Sequence, residues 1–526
     1  MTAVVRAVNG VLLPGFTGTT ELPAWLVEAC RDGLAGVVYF GHNTPDVATT
    51  ARLSARLHEV SADLLVAIDE EGGDVSRLEA VTGSSIPGNA ALGVVDDPEL
   101  TEEVGTALGR LLAATGIDLD LAPALDVNSD PDNPVIGVRS FGADPEVVTR
   151  HGAALVRGMH RGGAGACGKH FPGHGATDVD SHLDLPVVDA SLDELRRRDL
   201  PPFVHAFGAP DASGERLDAV MTAHLLVPAL GPAPSSLEPA VTALARELGF
   251  EGPVITDALD MGAVQTYGED APDGGHGIGE IAVRAVEAGA DLLCLGTTVG
   301  RDDEALFRQA QSALVAAVEE GRVGLDRLRA SADRTARAVA TIRAFREEAG
   351  TRCSADAALD ALADLERVGA RAAVRAVRRH GPVPMPLTSA PEVVDLRLRF
   401  DHAAGRTAQH VQRAVDEVFA GAEHHRPADD AQWAATLEAV SGSHRPLVVL
   451  TREPLAGSAE RHRLDALLVA RPDLVVLHTG FPGAVDQWFP VADDGPSVVV
   501  ACGTGRANAR AAVDLLRRGA GTEAGA

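Results

Sequence analysis

The chain of 526 residues reads as an α/β protein: a (β/α)8 TIM barrel, a helical linker, and a smaller α/β sandwich domain. Three observations carry that reading. The first part of the chain holds short apolar runs of strand type, separated by stretches long enough for a helix. Polar residues stand at or just beyond the ends of most of these runs. Past a proline-rich break, a shorter alternation of apolar runs and helical stretches begins.

The runs are VNGVLLP near residue 10, GVVYF ending at Phe40, LLVAI ending at Ile68 and DLDLAPAL ending at Leu125. GAGACG ending at Gly168, AVMTA ending at Ala223, PVIT ending at Thr256 and DLLCL ending at Leu295 complete a set of eight. Asn43, Asp69, Asp126, Lys169 with His170, His224 and Asp257 lie at or just beyond their ends, and in a barrel those ends converge on one active-site face. From Leu325 to Arg379 the pattern turns helical, with LDRLRASADRTARAVATIRAF followed by AALDALADLERVGARAAVRAVRR. GPVPMPLTSAP closes that segment. The expected division is therefore a catalytic barrel over 1–345, a helical and Pro-rich linker over 346–390, and a C-terminal α/β sandwich over 391–526. VVDLRLRF, PLVVLT, LVVLHTG and SVVVACG supply the strands of the sandwich.

A formal net charge of −29 excludes nucleic acid as an expected partner, because phosphate binding needs a basic stripe and the sequence has none. Five scattered cysteines, mostly inside apolar runs, read as small buried thiols in a reducing compartment. The N-terminal MTAVVRAVNGVLLPGF lacks the apolar core and cleavage site of an export signal, and no later segment approaches a membrane span. A cytoplasmic protein with no membrane contact is expected.

KHFPGHGATDVDSH, residues 169 to 182, packs one lysine, three histidines and two aspartates into a stretch that Pro172, Gly173 and Gly175 keep from being a helix. Asp180 lies two residues before His182, close enough to orient the imidazole and support its protonated form, as a general acid or base requires. A metal site is the weaker reading. His170 and His174 are separated by Pro-Gly, cannot share a helical face, and have no HExxH or Cys/His pattern beside them. GTGRANA at residue 503 follows a strand and opens a helix like a dinucleotide fingerprint, but Asn508 stands where Gly or Ala is required. No cofactor is expected.

Four segments, KHFPGHGATDVDSH, AIDEEGGDVSR, VIGVRSF and VITDALDM, resemble in order and spacing the signatures of the β-N-acetylglucosaminidase branch of glycoside hydrolase family 3. They lie across residues 67 to 261. The C-terminal part resembles the α/β domain of the two-domain members, on fold pattern alone. The resemblance implies that Asp257 is the nucleophile, His182 the acid/base and Asp180 its partner. It further implies that Asp69, Arg77, Arg139, Lys169 and His170 hold the terminal sugar's hydroxyls and N-acetyl group. Asp126 and His224, at neighbouring strand ends, stand between a role beside the substrate and a structural one. The sequence departs from the family pattern at Glu70, where Gln is commoner, and at Asp74, where a basic residue is commoner.

A retaining glycosidase needs one carboxylate to attack the anomeric carbon and one group to protonate the leaving oxygen and later activate water. A histidine in the second role leaves a neutral base facing the acceptor, so phosphate competes with water as an alternative. Aromatic residues make up only 3% of the chain, too few for a long stacking cleft, so a pocket gripping one terminal GlcNAc is expected. Cytoplasmic muropeptides are the substrate class the family suggests. A barrel that binds sugar without turnover, and a docking or dimerisation role for the C-terminal part, are the other readings. The oligomeric state is not legible.

Overall fold

The computed structural model describes residues 3–177, 185–208, 216–265, 277–296, 300–382, 386–397, 409–491 and 495–518. Each of the eight apolar runs holds a strand, and the fifth strand runs on past its run through Lys169, His170 and Phe171: β1 Leu12–Leu13, β2 Gly36–Tyr39, β3 Leu65–Ile68, β4 Leu119–Asp120, β5 Gly165–Phe171, β6 Ala219–Thr222, β7 Val254–Thr256 and β8 Leu293–Cys294. Strands β2 to β7 form a parallel sheet in chain order, and β1 pairs in parallel with β8. Backbone bonds link the two sets: Val38 N donates to Pro14 O, and Thr256 N donates to Leu292 O, each at 3.0 Å. The alternation of the strands explains why eight short runs suffice. One set of side chains, with Leu13, Val38, Ala67, Leu119, Cys167, Met221, Ile255 and Cys294 from the eight strands, fills a common interior. The alternate set, such as Leu12, Val37, Val66, Val220 and Val254, packs outward under the surrounding helices.

A repeated device closes the N-terminal ends of these strands. Asp118, Asp218 and Asp291 stand just before β4, β6 and β8 and are all buried. Their carboxylates accept from backbone N–H groups on or at the start of the preceding strand, from Val66 at 2.9 Å, Ala166 at 2.9 Å and Val254 at 3.0 Å. Each also meets a basic side chain. Asp118 lies 3.1 Å from Arg346 and 3.4 Å from His58, and Asp218 lies 2.8 Å from His160. Asp291 gathers Arg246 and Arg334 at 2.6 Å and Arg327 at 3.1 Å. Burial works against the Asp118 carboxylate, but His58 and Arg346 outweigh it and hold its pKa below the usual range.

The helix Leu325–Ala349 supplies Arg327, Arg334 and Arg346 to this device. Its Ile342 packs onto Gly165, where a Cβ would lie 2.5 Å from the isoleucine side chain. This helix therefore crosses the N-terminal ends of the strands and leaves the opposite ends open for chemistry. Gly350, in the left-handed region at φ 65°, stops it, and Ser354 caps the next helix, Ala355–Ala376, by accepting from Ala357 N. That second helix places Leu365 and Ala372 in the first core and Ala376 in the next one.

The remaining strands are β9 Arg378–His380, β10 Glu392–Asp395, β11 Glu423–His425, β12 Leu447–Thr451, β13 Val475–His478 and β14 Ser497–Val500. They form one sheet in the order β11-β10-β12-β13-β14-β9, parallel except for β9 against β14. Both faces are covered: Val449, Val476 and Val498 pack on one side, and Val448, Val475 and Val499 on the other. Four of these strands are the apolar runs read from sequence. The edge strands β9 and β11, RRH and EHH, carry no apolar run and lie outside that reading, because an edge needs little burial.

No helix among the described residues is long and apolar enough to cross a membrane. The five cysteines are free thiols, and all but Cys353 are buried.

Candidate active site

At the C-terminal ends of β3 and β5, a largely buried polar network joins five of the residues singled out from sequence: Asp69, Asp126, Arg139, Lys169 and His170. Lys169 Nζ lies 2.7 Å from Asp69 Oδ1 and 2.6 Å from Glu71 Oε1. Glu71 also accepts two bonds from Arg139, at 3.0 Å from Nε and 2.8 Å from Nη2. Arg139 Nη2 reaches His170 Nε2 at 3.3 Å. His170 Nδ1 stands 2.7 Å from Asp126 Oδ2. Burial opposes the charge on each member, yet Lys169 and Arg77 hold Asp69 below the usual carboxylate range, and Arg139 with Lys169 does the same for Glu71. Asp69 and Glu71 in turn raise the Lys169 ammonium above an ordinary lysine despite its burial.

Asp126 thus acts through His170. Burial works against its carboxylate, but His170 holds it below the usual range, so it accepts and His170 Nδ1 carries the proton. Nε2 is left to accept from Arg139 Nη2. Asp126 Oδ1 also accepts from His174 N at 2.7 Å, and His174 Nδ1 meets Thr177 Oγ1 at 2.9 Å. Burial lowers His174 to about 4, which keeps that imidazole neutral. Among the described residues, the grouping with metal-ligand spacing is Glu392, Glu423 and His425 in the second sheet, and there Arg445 already pairs with Glu423.

Asp257 follows β7 and is half-buried. Its backbone N donates to Thr222 O at 3.0 Å, and its Oδ1 accepts from Ala258 N at 2.7 Å. His224 fixes the next peptide: Nε2 donates to Ala258 O at 2.9 Å, and Nδ1 takes the Ser236 hydroxyl at 2.7 Å. Burial pushes the Cys294 thiol up, and the charges of Asp257, Asp260 and Asp69 add to that push. Asp260 is buried and pairs with Arg301 at 3.3 Å, with Arg301 also donating to its carbonyl. Asn43, also at a strand end, is a latch that donates to Phe16 O and Gly18 O.

The loop leaving β3 is shaped by acids. Arg77 lies 3.5 Å from Asp69 Oδ2. Glu70 accepts from Arg77 N and Leu78 N, each at 2.8 Å, and burial raises its pKa to about 7. Beneath it, Asp120 accepts from Glu70 N at 2.9 Å, while its Oδ2 is buried without a hydrogen-bond partner. Burial pushes Asp120 well above the usual carboxylate range. Sequence reasoning missed Glu71 and Asp120. The run of acids in DEEGGD was the available signal for Glu71, whereas Asp120 looked like an ordinary strand residue. Asp180 and His182 lie outside the described residues.

This arrangement places a half-buried carboxylate at β7 and, at neighbouring strand ends, a set of largely buried hydrogen-bond donors and acceptors. The match to known proteins agrees with it. A β-hexosaminidase A of Pseudoalteromonas piscicida is 32% identical over 343 residues, 60% of this chain, and the match spans only 55% of that longer protein. A β-hexosaminidase of Pseudomonas aeruginosa (strain LESB58) is 35% identical over 281 residues, 51% of this chain and 78% of the relative. A glycoside hydrolase family 3 β-N-acetylglucosaminidase from Paenibacillus sp. str. FPU-7 superposes with a TM-score of 0.78 at 29% identity, over 99% of this chain and 98% of that one. The glycosyl hydrolase family 3 N terminal domain matches residues 19–338, which begins after β1, runs from β2 through β8 and holds all of the strand ends just described. Since that stretch is more than half of the chain, the protein belongs to glycosyl hydrolase family 3, a family of glycoside hydrolases.

Proposed function

We propose that the protein is a retaining, exo-acting β-N-acetylglucosaminidase that removes non-reducing terminal GlcNAc from small glycans such as muropeptides. The observation that carries this reading is the half-buried Asp257 at the end of β7 together with a preorganised network of Asp69, Glu71, Arg139, Lys169 and His170 at neighbouring strand ends. Asp257 attacks the anomeric carbon and the glycosidic bond breaks, with His182 giving its proton to the leaving oxygen and Asp180 steadying the imidazole. His182 then takes a proton from water, whose oxygen displaces Asp257 and releases GlcNAc with its configuration retained. Asp69, Arg77, Arg139, Lys169 and His170 grip the hydroxyls and the N-acetyl group meanwhile.

The names of the relatives support the sugar, and the match to most of the Pseudomonas aeruginosa enzyme's length supports the reaction. In this reading residues 1–345 form a catalytic (β/α)8 barrel, 346–390 a helical and Pro-rich linker from which β9 reaches into the second sheet, and 391–526 an α/β sandwich. The enzyme works in the cytoplasm and draws on no cofactor. The test is turnover of an aryl β-GlcNAc against an aryl β-glucoside, with products followed by NMR with and without millimolar phosphate. Release of GlcNAc with its initial β configuration, in phosphate-free buffer, is the expected result. A rate strictly dependent on phosphate, yielding GlcNAc-1-phosphate, would make the protein a phosphorylase, and sugar binding without turnover would make it a binding protein.

A further inference from the structure

The GTGRANA segment at residue 503 leads into the helix Arg506–Arg518. A Cβ on Gly505 would lie 2.7 Å from the Gly73 carbonyl oxygen, so the segment is packed directly onto the tip of the loop that leaves β3. That tip is a tight turn in which Gly72 and Val75 exchange backbone bonds at 3.0 and 3.1 Å. Gly72 and Gly73 have φ of 80° and 59°, in the left-handed region, and two adjacent glycines leave the turn little stiffness of its own. Its two legs carry Asp69 and Glu71 on one side and Arg77 on the other.

The restraint comes from the second sheet. Asp74, buried at the tip, accepts from Thr504 N at 2.6 Å through Oδ1 and meets Arg452 Nη1 at 2.6 Å through Oδ2. Arg506 extends the hold, reaching Glu79 at 2.6 Å, Ser85 Oγ at 2.8 Å and Gly83 O at 3.1 Å. This accounts for the acidic residue at a position where a basic one is commoner: Asp74 has its cation 378 positions away.

We infer that Thr504, Arg452 and Arg506 form a clamp on the 69–79 loop, with Asp74 as its positioning residue, so that the C-terminal sheet sets the geometry with which Asp69, Glu71 and Arg77 meet the sugar. The inference rests on the sugar-holding role proposed above for those side chains. A clamp of this kind acts on binding more than on bond cleavage, because the nucleophile sits on β7, outside the loop.

Full-length Asp74→Ala, Arg452→Ala, the double variant and Arg452→Lys are compared for KM, kcat and amide hydrogen exchange over residues 69–79. The single alanines are expected to raise KM roughly tenfold while changing kcat far less, and to speed exchange in the loop. The double variant should be no worse than the singles, and Arg452→Lys should recover part of the loss. If neither alanine variant folds, Asp74→Asn, which keeps the acceptor for Thr504 N, decides on the same readouts. Unchanged KM and unchanged exchange in a folded variant overturn the clamp. An inactive wild type would overturn the proposed function instead, and the exchange measurement would still decide the clamp.

Discussion

Lys169 and Glu71 meet at 2.6 Å with both side chains 2% exposed, and charged neighbours take the place of water around them: Asp69 beside Lys169, and Arg139 beside Glu71. Such pairs are asymmetric: the intact pair adds little over an apolar core, but removing one partner strands a buried charge at about 3–5 kcal/mol. Glu71→Gln, which leaves Lys169 with Asp69 alone and strips the charge from the Arg139 pair, is expected to lose stability toward the lower end of that scale in urea denaturation. Because Asp69 and Glu71 have lowered pKa values, their contribution is complete above the ordinary carboxylate range and is lost as pH falls through and below it. A loss under about 1 kcal/mol at pH 7 would show that the network is not the buried unit described.

Asp257 and Asp260 sit in one short segment but in different company. Asp260 pairs with Arg301, and Asp257 Oδ1 accepts from the N–H of its neighbour Ala258. Asp257→Asn is therefore expected to cut kcat on the order of 10³-fold or more with little change in melting temperature. A fluorinated GlcNAc-type inhibitor should label Asp257, as read by mass spectrometry. A label on Asp260 would reassign the nucleophile.

The acid/base assignment to His182 and Asp180 is read through leaving groups. His182→Ala should slow substrates with poor leaving groups far more than activated aryl ones, since only the former need a proton, and Asp180→Ala should show a weaker version. Equal losses on both classes would move the role elsewhere. His170 is poorly placed to inherit it, because Asp126 and Arg139 occupy both of its nitrogens.

Glu70 gives a pH prediction of opposite sign to Glu71. Burial raises its pKa to about 7 in the fold, so the folded protein binds the extra proton between the ordinary glutamate value and that point. Stability then falls as pH rises through that window and levels off above it, by on the order of 3 kcal/mol at most. Glu70→Gln keeps an acceptor for Arg77 N and Leu78 N without the charge. It should be more stable than wild type at pH 8, with the advantage shrinking toward pH 5 in a melting series. An advantage independent of pH would mean that Glu70 titrates normally.

The eight N-terminal strands were legible because buried parallel strands must be apolar along their length, and the acids and bases after them were legible because polar groups at such ends are costly without a purpose. Asp69, Arg139, Lys169 and His170, picked from three separate segments, lie in one hydrogen-bonded network with Glu71. What sequence could not show were partners set by distance in space. Glu71 joins two cations from separate strand ends, and Asp74 finds Arg452 across hundreds of residues. The strands β9 and β11 were invisible because RRH and EHH at a sheet edge have no pattern to read.

The helix that crosses the strand N-termini bears on how the protein can be dissected. The family match ends at residue 338, yet Ile342, the side chain packed on Gly165, and Arg346, the partner of Asp118, lie beyond it. A fragment cut at the match boundary would lose the cation of one carboxylate staple and open the floor of the strand interior. The smallest piece able to stand alone therefore runs past Ala349, and the edge of sequence similarity falls inside a physical unit.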